Sequence, residues 1–190
     1  MKTGYRDEPG TPMSLGASNG VGAVGGGHGI LIIEGIHALN PDYTARIAGH
    51  EKYRIFISPL TSLQLDDANS VKTTDLRLCR RMTRDYLFRG NNASKTLSMW
   101  DNVRRGEHRW IFPHQNGADF VFNSCMETEL PVLKSRLDYL LRVVTPEDAN
   151  FAKAQHLLGT LDAFPTWHDK DVSSTSLLRE FIGGSAFNVH

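Results

Sequence analysis

The chain of 190 residues contains only two cysteines, Cys79 and Cys125, and no C-x-x-C pair. Disulfide scaffolds and cysteine-rich zinc modules need more cysteines than this, so both classes are excluded. No apolar run approaches the roughly 20 residues that span a bilayer. The first ten residues, MKTGYRDEPG, carry charges without the apolar stretch of a secretory signal. We therefore expect no membrane partner and a reduced intracellular compartment, the cytoplasm.

The chain also lacks net charge, because 21 Lys and Arg residues balance 21 Asp and Glu residues. No overall field therefore attracts it to nucleic acid or to a lipid surface. The charges are nevertheless segregated: residues 72–109 hold 10 basic and 4 acidic side chains, whereas both flanking regions are acidic in balance. The basic region is either a solvated helix face or a site for a polyanion such as nucleotide phosphates or a nucleic-acid backbone.

The phosphate-binding motif G-x-x-x-x-G-K-[ST] is absent from the whole chain. Glycine is abundant at residues 16–29, where it supplies seven of fourteen positions, but this segment contains no lysine. A dinucleotide-binding G-x-G-x-x-G interpretation also fails, because no strand precedes these glycines. We therefore predict that residues 1–29 form a flexible segment and that residues 30–190 form the folded domain.

Short apolar runs alternate with helical patterns in the folded part. Strands are predicted at residues 30–33, 53–58 and 118–122. Helices are predicted from Thr74 or Asp75 to Arg89, over residues 127–142, from residues 145–148 onward and near residues 176–181. This alternation predicts an α/β layered sandwich with a parallel sheet. Three strands are few for that architecture, so we expect the sheet to be incomplete and the chain to be part of something larger.

The helix predicted to end at Arg89 concentrates arginines on one face. On a helical wheel of 100° per residue, three of them fall within about 60° of each other, with Arg80 beside them. These three are Arg77, Arg81 and Arg84. The planar guanidinium fits phosphate oxygens in a bidentate way, which favours an anion-binding site. The alternative is a structural face whose arginines pair with acids elsewhere in the fold.

The apolar run at residues 30–33 ends at Glu34. Polar residues at the carboxyl ends of parallel strands point into the ligand crevice of α/β sheets, and a glutamate there can hold Mg²⁺ through oxygen. The alternative for Glu34 is an ordinary exposed strand end. His37 follows it and is interpreted either as a substrate-binding residue or as a histidine hydrogen-bonded within a loop.

Four strings in this chain carry a family resemblance. They are ILIIEGIHALNP (30–41), TTDLRLCRRMTRDYLFRG (73–90), VRRGEHRWIFPHQNGADFVFNS (103–124) and LLREFIGGSAF (177–187). Together they resemble the uridine kinase and phosphoribulokinase family of P-loop kinases, in particular its bacterial nucleoside-kinase branch. The resemblance implies a P-loop-kinase-like three-layer sandwich and transfer of the ATP γ-phosphoryl to a nucleoside 5′-hydroxyl.

The resemblance also implies roles for individual residues. Glu34 matches the acid that helps to hold Mg²⁺, and Arg81 matches an arginine near the acceptor substrate. Arg84 and Arg89 match arginines that cover the ATP phosphates. Phosphoryl transfer depends mostly on positioning and on neutralising charge, which arginines and Mg²⁺ supply. One departure is Asn91, which stands where the family motif R-G-R commonly has its second arginine.

The family's P-loop and general base would precede the matching strings. Either this chain is the C-terminal portion of a longer kinase, inactive by itself, or it is a complete non-catalytic remnant that binds nucleotide or another protein. An incomplete sheet exposes strand edges, so self-association is expected. A nucleic-acid-binding module is the less favoured third interpretation, because it needs aromatic side chains interleaved with the basic ones.

Overall fold

The computed structural model describes residues 30–67 and 69–187. The chain divides into two units, residues 1–38 and residues 39–190. In the first unit, residues 30–34 have no regular secondary structure and lead into a turn, in which the Ala38 N–H donates to the Gly35 carbonyl at 3.0 Å. The glycine-rich segment predicted to be flexible, residues 1–29, lies outside the described residues.

Residues 30–33 do not form the predicted strand. Ile30, Leu31 and Ile32 are 95%, 55% and 78% exposed. A strand exists only through hydrogen bonds to a neighbouring strand, and the sheet in the described part of the chain joins other segments. The prediction was therefore wrong, because an apolar β-branched composition cannot by itself supply a pairing partner.

The second unit contains a two-stranded parallel sheet. Strand β1, Ile55–Ser58, pairs with strand β2, Phe120–Asn123, in a register that places Ile55 opposite Phe120. Strand β1 lies within the segment predicted at residues 53–58, and β2 overlaps the segment predicted at 118–122 and extends one residue beyond it. The α/β class and the incomplete parallel sheet are therefore confirmed, and the architecture is consistent with an incomplete P-loop-kinase-like fold.

In the described residues, six α-helices accompany the sheet. They are α1 (Thr73–Arg89), α2 (Ala93–Trp110), α3 (Phe112–Gln115), α4 (Glu129–Arg142), α5 (Phe151–Asp162) and α6 (Arg179–Ile182). Short 3₁₀ helices cover Pro41–Thr44, Gly49–Glu51 and Asp169–Asp171. In the described part of the chain, no helix has both the length and the apolarity that crossing a lipid bilayer requires.

Helix α1 ends where the sequence predicts it to end. Gly90 follows it with φ of 64°, a left-handed conformation that glycine adopts at little cost, and its N–H caps the helix. The beginning differs slightly, because the capping position is Lys72, which makes no side-chain cap bond. The apolar face of α1 is buried, as Leu76 and Met82 illustrate.

The other helices depart from prediction by different amounts. Helix α4 begins two residues later than predicted, and its leucine stripe is buried as expected: Leu130, Leu133, Leu137 and Leu140. Residues 145–148 form turns instead of the start of a helix, and α5 begins at Phe151. Helix α2, the longest in the described chain, was not predicted at all.

The core lies among the helices. Helix α1 packs against α2, α4 and α6, and α4 packs against α5. The largest fully buried side chains are mostly leucines of these helices. Helix α1 therefore occupies the centre of the helical part. Its arginine side chains can contact residues of α2, α4 and α6.

Candidate functional site

Arg80 is the most deeply buried arginine of α1, with 10% of its side chain exposed. It forms an ion pair with the fully buried Glu129, including a 2.7 Å contact from Nη2 to Oε2, and Nη2 also donates to the Ser124 carbonyl at 2.7 Å. The guanidinium lies 5.0 Å from the ring centroid of Phe181. Arg80 therefore joins α1 to the residues after β2, to α4 and to α6.

Arg77 pairs with a carboxylate of α2. Its Nη2 lies 2.6 Å from Oε1 of Glu107, a buried residue. The other oxygen of Glu107 accepts a hydrogen bond from Arg104 at 3.0 Å. This pair fixes the unpredicted helix α2 against α1.

Arg84 faces α6, where its Nη1 donates to Glu180 Oε1 at 3.1 Å. About a third of each side chain is exposed. Exposed ion pairs contribute at most about 1 kcal/mol to stability. This pair therefore leaves Arg84 able to exchange partners with an incoming anion.

The remaining two arginines of α1 share one carboxylate, that of the fully buried Asp85. Arg89 Nη1 lies 2.8 Å from Oδ1, and Arg81 Nε lies 3.2 Å from Oδ2. Half of the Arg89 side chain is exposed, against 24% of the Arg81 side chain. Arg89 is thus the most accessible of the arginines on this helix.

Every arginine of α1 therefore has a carboxylate partner, which is the arrangement that the structural alternative predicts. A guanidinium carries five N–H donors, so one ion pair does not exhaust it. Arg80 is buried and pairs with Glu129, so it is not accessible to a ligand. Arg84 and Arg89 have the largest exposed fractions of the five arginines, so their guanidinium groups are the ones most accessible to an anion from solution.

Glu34 and His37 belong to the first unit, residues 1–38, where Glu34 is exposed and His37 is half-buried. Among the described residues, no group of three or more His, Cys, Asp or Glu side chains could hold a metal ion. Mg²⁺ is commonly held by one or two carboxylates together with waters and substrate phosphates. The strand that was expected to present Glu34 at its end is absent from the described residues, so the Mg²⁺-binding role of Glu34 stays a prediction.

Two cysteines are free in the described chain, and neither is a candidate nucleophile. Burial strongly raises the pKa of the Cys79 thiol on the apolar face of α1. Burial also raises the pKa of the Cys125 thiol. The reactive form of cysteine is the thiolate, which these shifts disfavour.

The last turns of α2 carry a second group of basic residues. A shallow depression that is open to solvent is lined there by Arg104, Arg105, Gly106, His108, Arg109 and Trp110. Trp110 is half-exposed, but the Arg109 guanidinium lies 4.8 Å from its ring centroid. Single-stranded nucleic acids bind to free aromatic faces, so this patch adds little to the nucleic-acid interpretation.

Sequence reasoning missed the acids that hold these arginines. Glu107, Glu129 and Glu180 lie on other elements, distant in the sequence from their partners. Asp85 was visible as the acid four residues from both Arg81 and Arg89, a spacing that places all three side chains along one side of a helix.

Comparison with known families gives one result. The model of the phosphoribulokinase / uridine kinase family matches residues 23–131, more than half of the chain, a span that includes both strands and helices α1 and α2. The chain belongs to this family. The family resemblance stated from the sequence is therefore confirmed. No curated protein and no solved structure matches the chain.

Proposed function

We propose that this chain is part of an ATP-dependent nucleoside kinase that transfers the γ-phosphoryl group to the 5′-hydroxyl of a uridine- or cytidine-like nucleoside. Membership of the phosphoribulokinase / uridine kinase family is the observation that carries this proposal. ATP and Mg²⁺ are the proposed cofactors. Bound Mg²⁺ would neutralise charge on the phosphate oxygens during transfer.

Arg84 and Arg89 are the proposed phosphate-binding residues. Both keep a substantial exposed fraction while a carboxylate holds part of each guanidinium. Arginines held in this way can neutralise the equatorial oxygens of a transferring phosphoryl group. In the same proposal, Arg81 and His37 contact the acceptor nucleoside, and Glu34 supplies a carboxylate for Mg²⁺.

The 190 residues by themselves are proposed to lack measurable kinase activity. They contain no G-x-x-x-x-G-K-[ST], whose backbone N–H groups cradle the phosphates in P-loop kinases. Losing one preorganised donor of this kind costs about 3 kcal/mol of transition-state stabilisation. Nucleotide binding is therefore the appropriate first readout for this chain, ahead of turnover.

Isothermal titration of the purified chain with Mg·ATP tests the proposal. We expect saturable binding that weakens about tenfold in both Arg84→Ala and Arg89→Ala, the effect of losing one charge-assisted hydrogen bond. Arg142→Ala is the matched control, since Arg142 is exposed at the end of α4. Absent binding, or equal affinities in all four proteins, would contradict the phosphate site.

A second candidate is a non-catalytic, kinase-like protein that binds nucleotide or a partner protein. The ion pairing of all five α1 arginines favours it, because such pairs stabilise the fold without any ligand. In the form that binds a partner protein and not nucleotide, this candidate predicts that Arg84→Ala and Arg89→Ala lower the unfolding midpoint. The heat of Mg·ATP addition to the unaltered chain then stays at the dilution baseline.

We propose the cytoplasm as the location of the protein. The two free cysteines support a reducing compartment, and ATP is available there.

Self-association is also part of the proposal. Exposed apolar side chains on the strands, including Ile57 and Phe122, support it. Light scattering across a dilution series tests it, since a mass that stays at 21.2 kDa at every concentration would contradict it.

A further inference from the structure

Asp85 lies at the middle of a row of three charged side chains on α1. Arg81, Asp85 and Arg89 follow each other at four-residue intervals, which places them along one side of the helix over about two turns. Asp85 is fully buried, and each of its carboxylate oxygens is within ion-pair distance of a different arginine. Neither the family match nor the sequence-derived site includes a role for this carboxylate.

The position of Asp85 is fixed by more than its arginines. The Thr96 hydroxyl of α2 donates to Oδ2 at 3.4 Å. The Asp85 backbone carbonyl accepts from the N–H groups of Gly90 and Asn91, which closes the end of α1. Thr96 therefore contacts the carboxylate from α2, and the turn after α1 fixes the backbone of Asp85, so the carboxylate has a defined position beside Arg81 and Arg89.

Each arginine uses only part of its guanidinium on Asp85. Arg89 contributes Nη1, which leaves Nε and Nη2. Arg81 approaches through Nε, which leaves both terminal nitrogens. One carboxylate between two guanidiniums leaves one net positive charge, and each arginine retains donors for an anion.

We propose that Asp85 is a positioning residue that orients Arg89 toward the phosphate groups of bound nucleotide and Arg81 toward the acceptor nucleoside. This inference rests on the proposed function, because it assigns the ligand of the oriented arginines. An arginine held in one rotamer loses less side-chain entropy when it binds than a free one does. Asp85 therefore contributes to affinity without touching the ligand.

A double-mutant cycle measured by titration with Mg·ATP tests the inference. In the unaltered chain, Arg89→Ala is expected to weaken binding about tenfold. In the Asp85→Asn background, the same change is expected to weaken it less than about threefold, because Arg89 is no longer held. Arg84→Ala is the internal control: Arg84 pairs with Glu180, so its effect is expected to be the same in both backgrounds.

Three outcomes of the cycle are distinct. A reduced Arg89→Ala effect in the Asp85→Asn background, with an unchanged Arg84→Ala effect, supports the inference. Equal Arg89→Ala effects in both backgrounds overturn it and leave the proposed function standing. Undetectable Mg·ATP binding to the unaltered chain overturns the proposed function, and the phosphate-positioning role is overturned with it.

If Asp85→Asn prevents folding, nuclear magnetic resonance of the arginine Nε–H groups in the unaltered chain measures the mobility of the Arg89 side chain directly. In the unaltered chain, we expect the Arg89 side chain to be as ordered as the backbone of α1, before and after Mg·ATP is added. The exposed Arg142 provides the reference for a mobile guanidinium. An Arg89 side chain as mobile as that of Arg142 would overturn the inference.

Discussion

The helical part and the sheet of this protein differ sharply in how deeply their apolar side chains are buried. The helices bury theirs, since Leu133, Leu137 and Leu141 of α4 have no exposed surface. The two-stranded sheet leaves Ile57 63% exposed and Phe122 about half exposed. The helices thus enclose a buried hydrophobic core, whereas the strands have exposed apolar side chains that nothing in the described chain covers.

This difference indicates that the fold is incomplete at the sheet and not in the helical part. Two-stranded sheets are marginal in water by themselves, and larger sheets bury their faces against helices or further strands. The arginine-bearing helix α1 belongs to the helical part, so its side chains have fixed positions. The candidate phosphate-binding arginines therefore lie on a helix of the buried core, whereas the uncovered apolar surface lies on the strands.

Breaking the buried ion pair should have the largest effect on stability. Glu129→Gln leaves the Arg80 charge buried without its partner, which costs about 3–5 kcal/mol. Urea unfolding followed by circular dichroism measures this as a lower midpoint. A loss below about 1 kcal/mol would show that water or another group compensates the Arg80 guanidinium, and would contradict the account of a closed helical core.

The same truncation in the two regions should give unequal losses. Leu137→Ala creates a cavity in the helical core and is expected to cost about 2–5 kcal/mol. Ile57→Ala on the exposed sheet is expected to change the free energy of unfolding by less than about 1 kcal/mol. Comparable losses from the two variants would mean that the sheet is covered in solution, for example by self-association.

One substitution at two glycines should give effects of opposite sign. Gly90→Ala places a Cβ on a residue with φ of 64° and is expected to cost about 1–2 kcal/mol. Gly106→Ala, within α2 and with no atom within 4 Å of the added carbon, is expected to stabilise by about 0.5–1 kcal/mol. Thermal unfolding of both variants measures the difference. A destabilising Gly106→Ala would contradict the helical geometry of α2.

The smallest expected effect is the loss of stability at low pH that results from protonation of Asp119, next to the sheet. Hydrogen bonds from Arg54 lower the pKa of Asp119, next to β2, from 3.8 to about 2. Because the folded-state pKa is depressed, the stabilisation is complete above about pH 4 and is lost as the pH falls toward 2. Asp119→Asn should therefore flatten part of the fall in unfolding temperature over that interval. An unchanged slope would contradict the pairing.

Helix α1 was the part of the fold most open to prediction from sequence. Its apolar stripe, its arginine face and the terminating Gly90 are all local signals. Helix α2 was missed because its buried stripe is short, ending at Trp100 apart from the isolated Glu107. The opposite error at residues 30–33 arose because strand formation depends on a partner that local composition cannot reveal.

The candidate site could be predicted only in part for the same reason. The arginines were recognisable from their spacing and type. Their partners were not, since Arg80 reaches Glu129 and Arg84 reaches Glu180 across helices that are far apart in sequence. Only Asp85 could have been assigned, because four-residue spacing is a local signal. Long-range charge pairing depends on how helices pack, and a linear pattern does not contain that information.

The central claim is that nucleotide phosphates bind beside the exposed arginines of α1. Mn²⁺ can replace Mg²⁺ in the nucleotide complex, and its unpaired electrons broaden the resonances of nearby nuclei. Addition of Mn·ATP to the isotopically labelled chain should broaden the Nε–H signals of Arg84 and Arg89 and leave that of Arg142 sharp. Sharp Arg84 and Arg89 signals at saturating Mn·ATP, or equal broadening of all three, would contradict the claim.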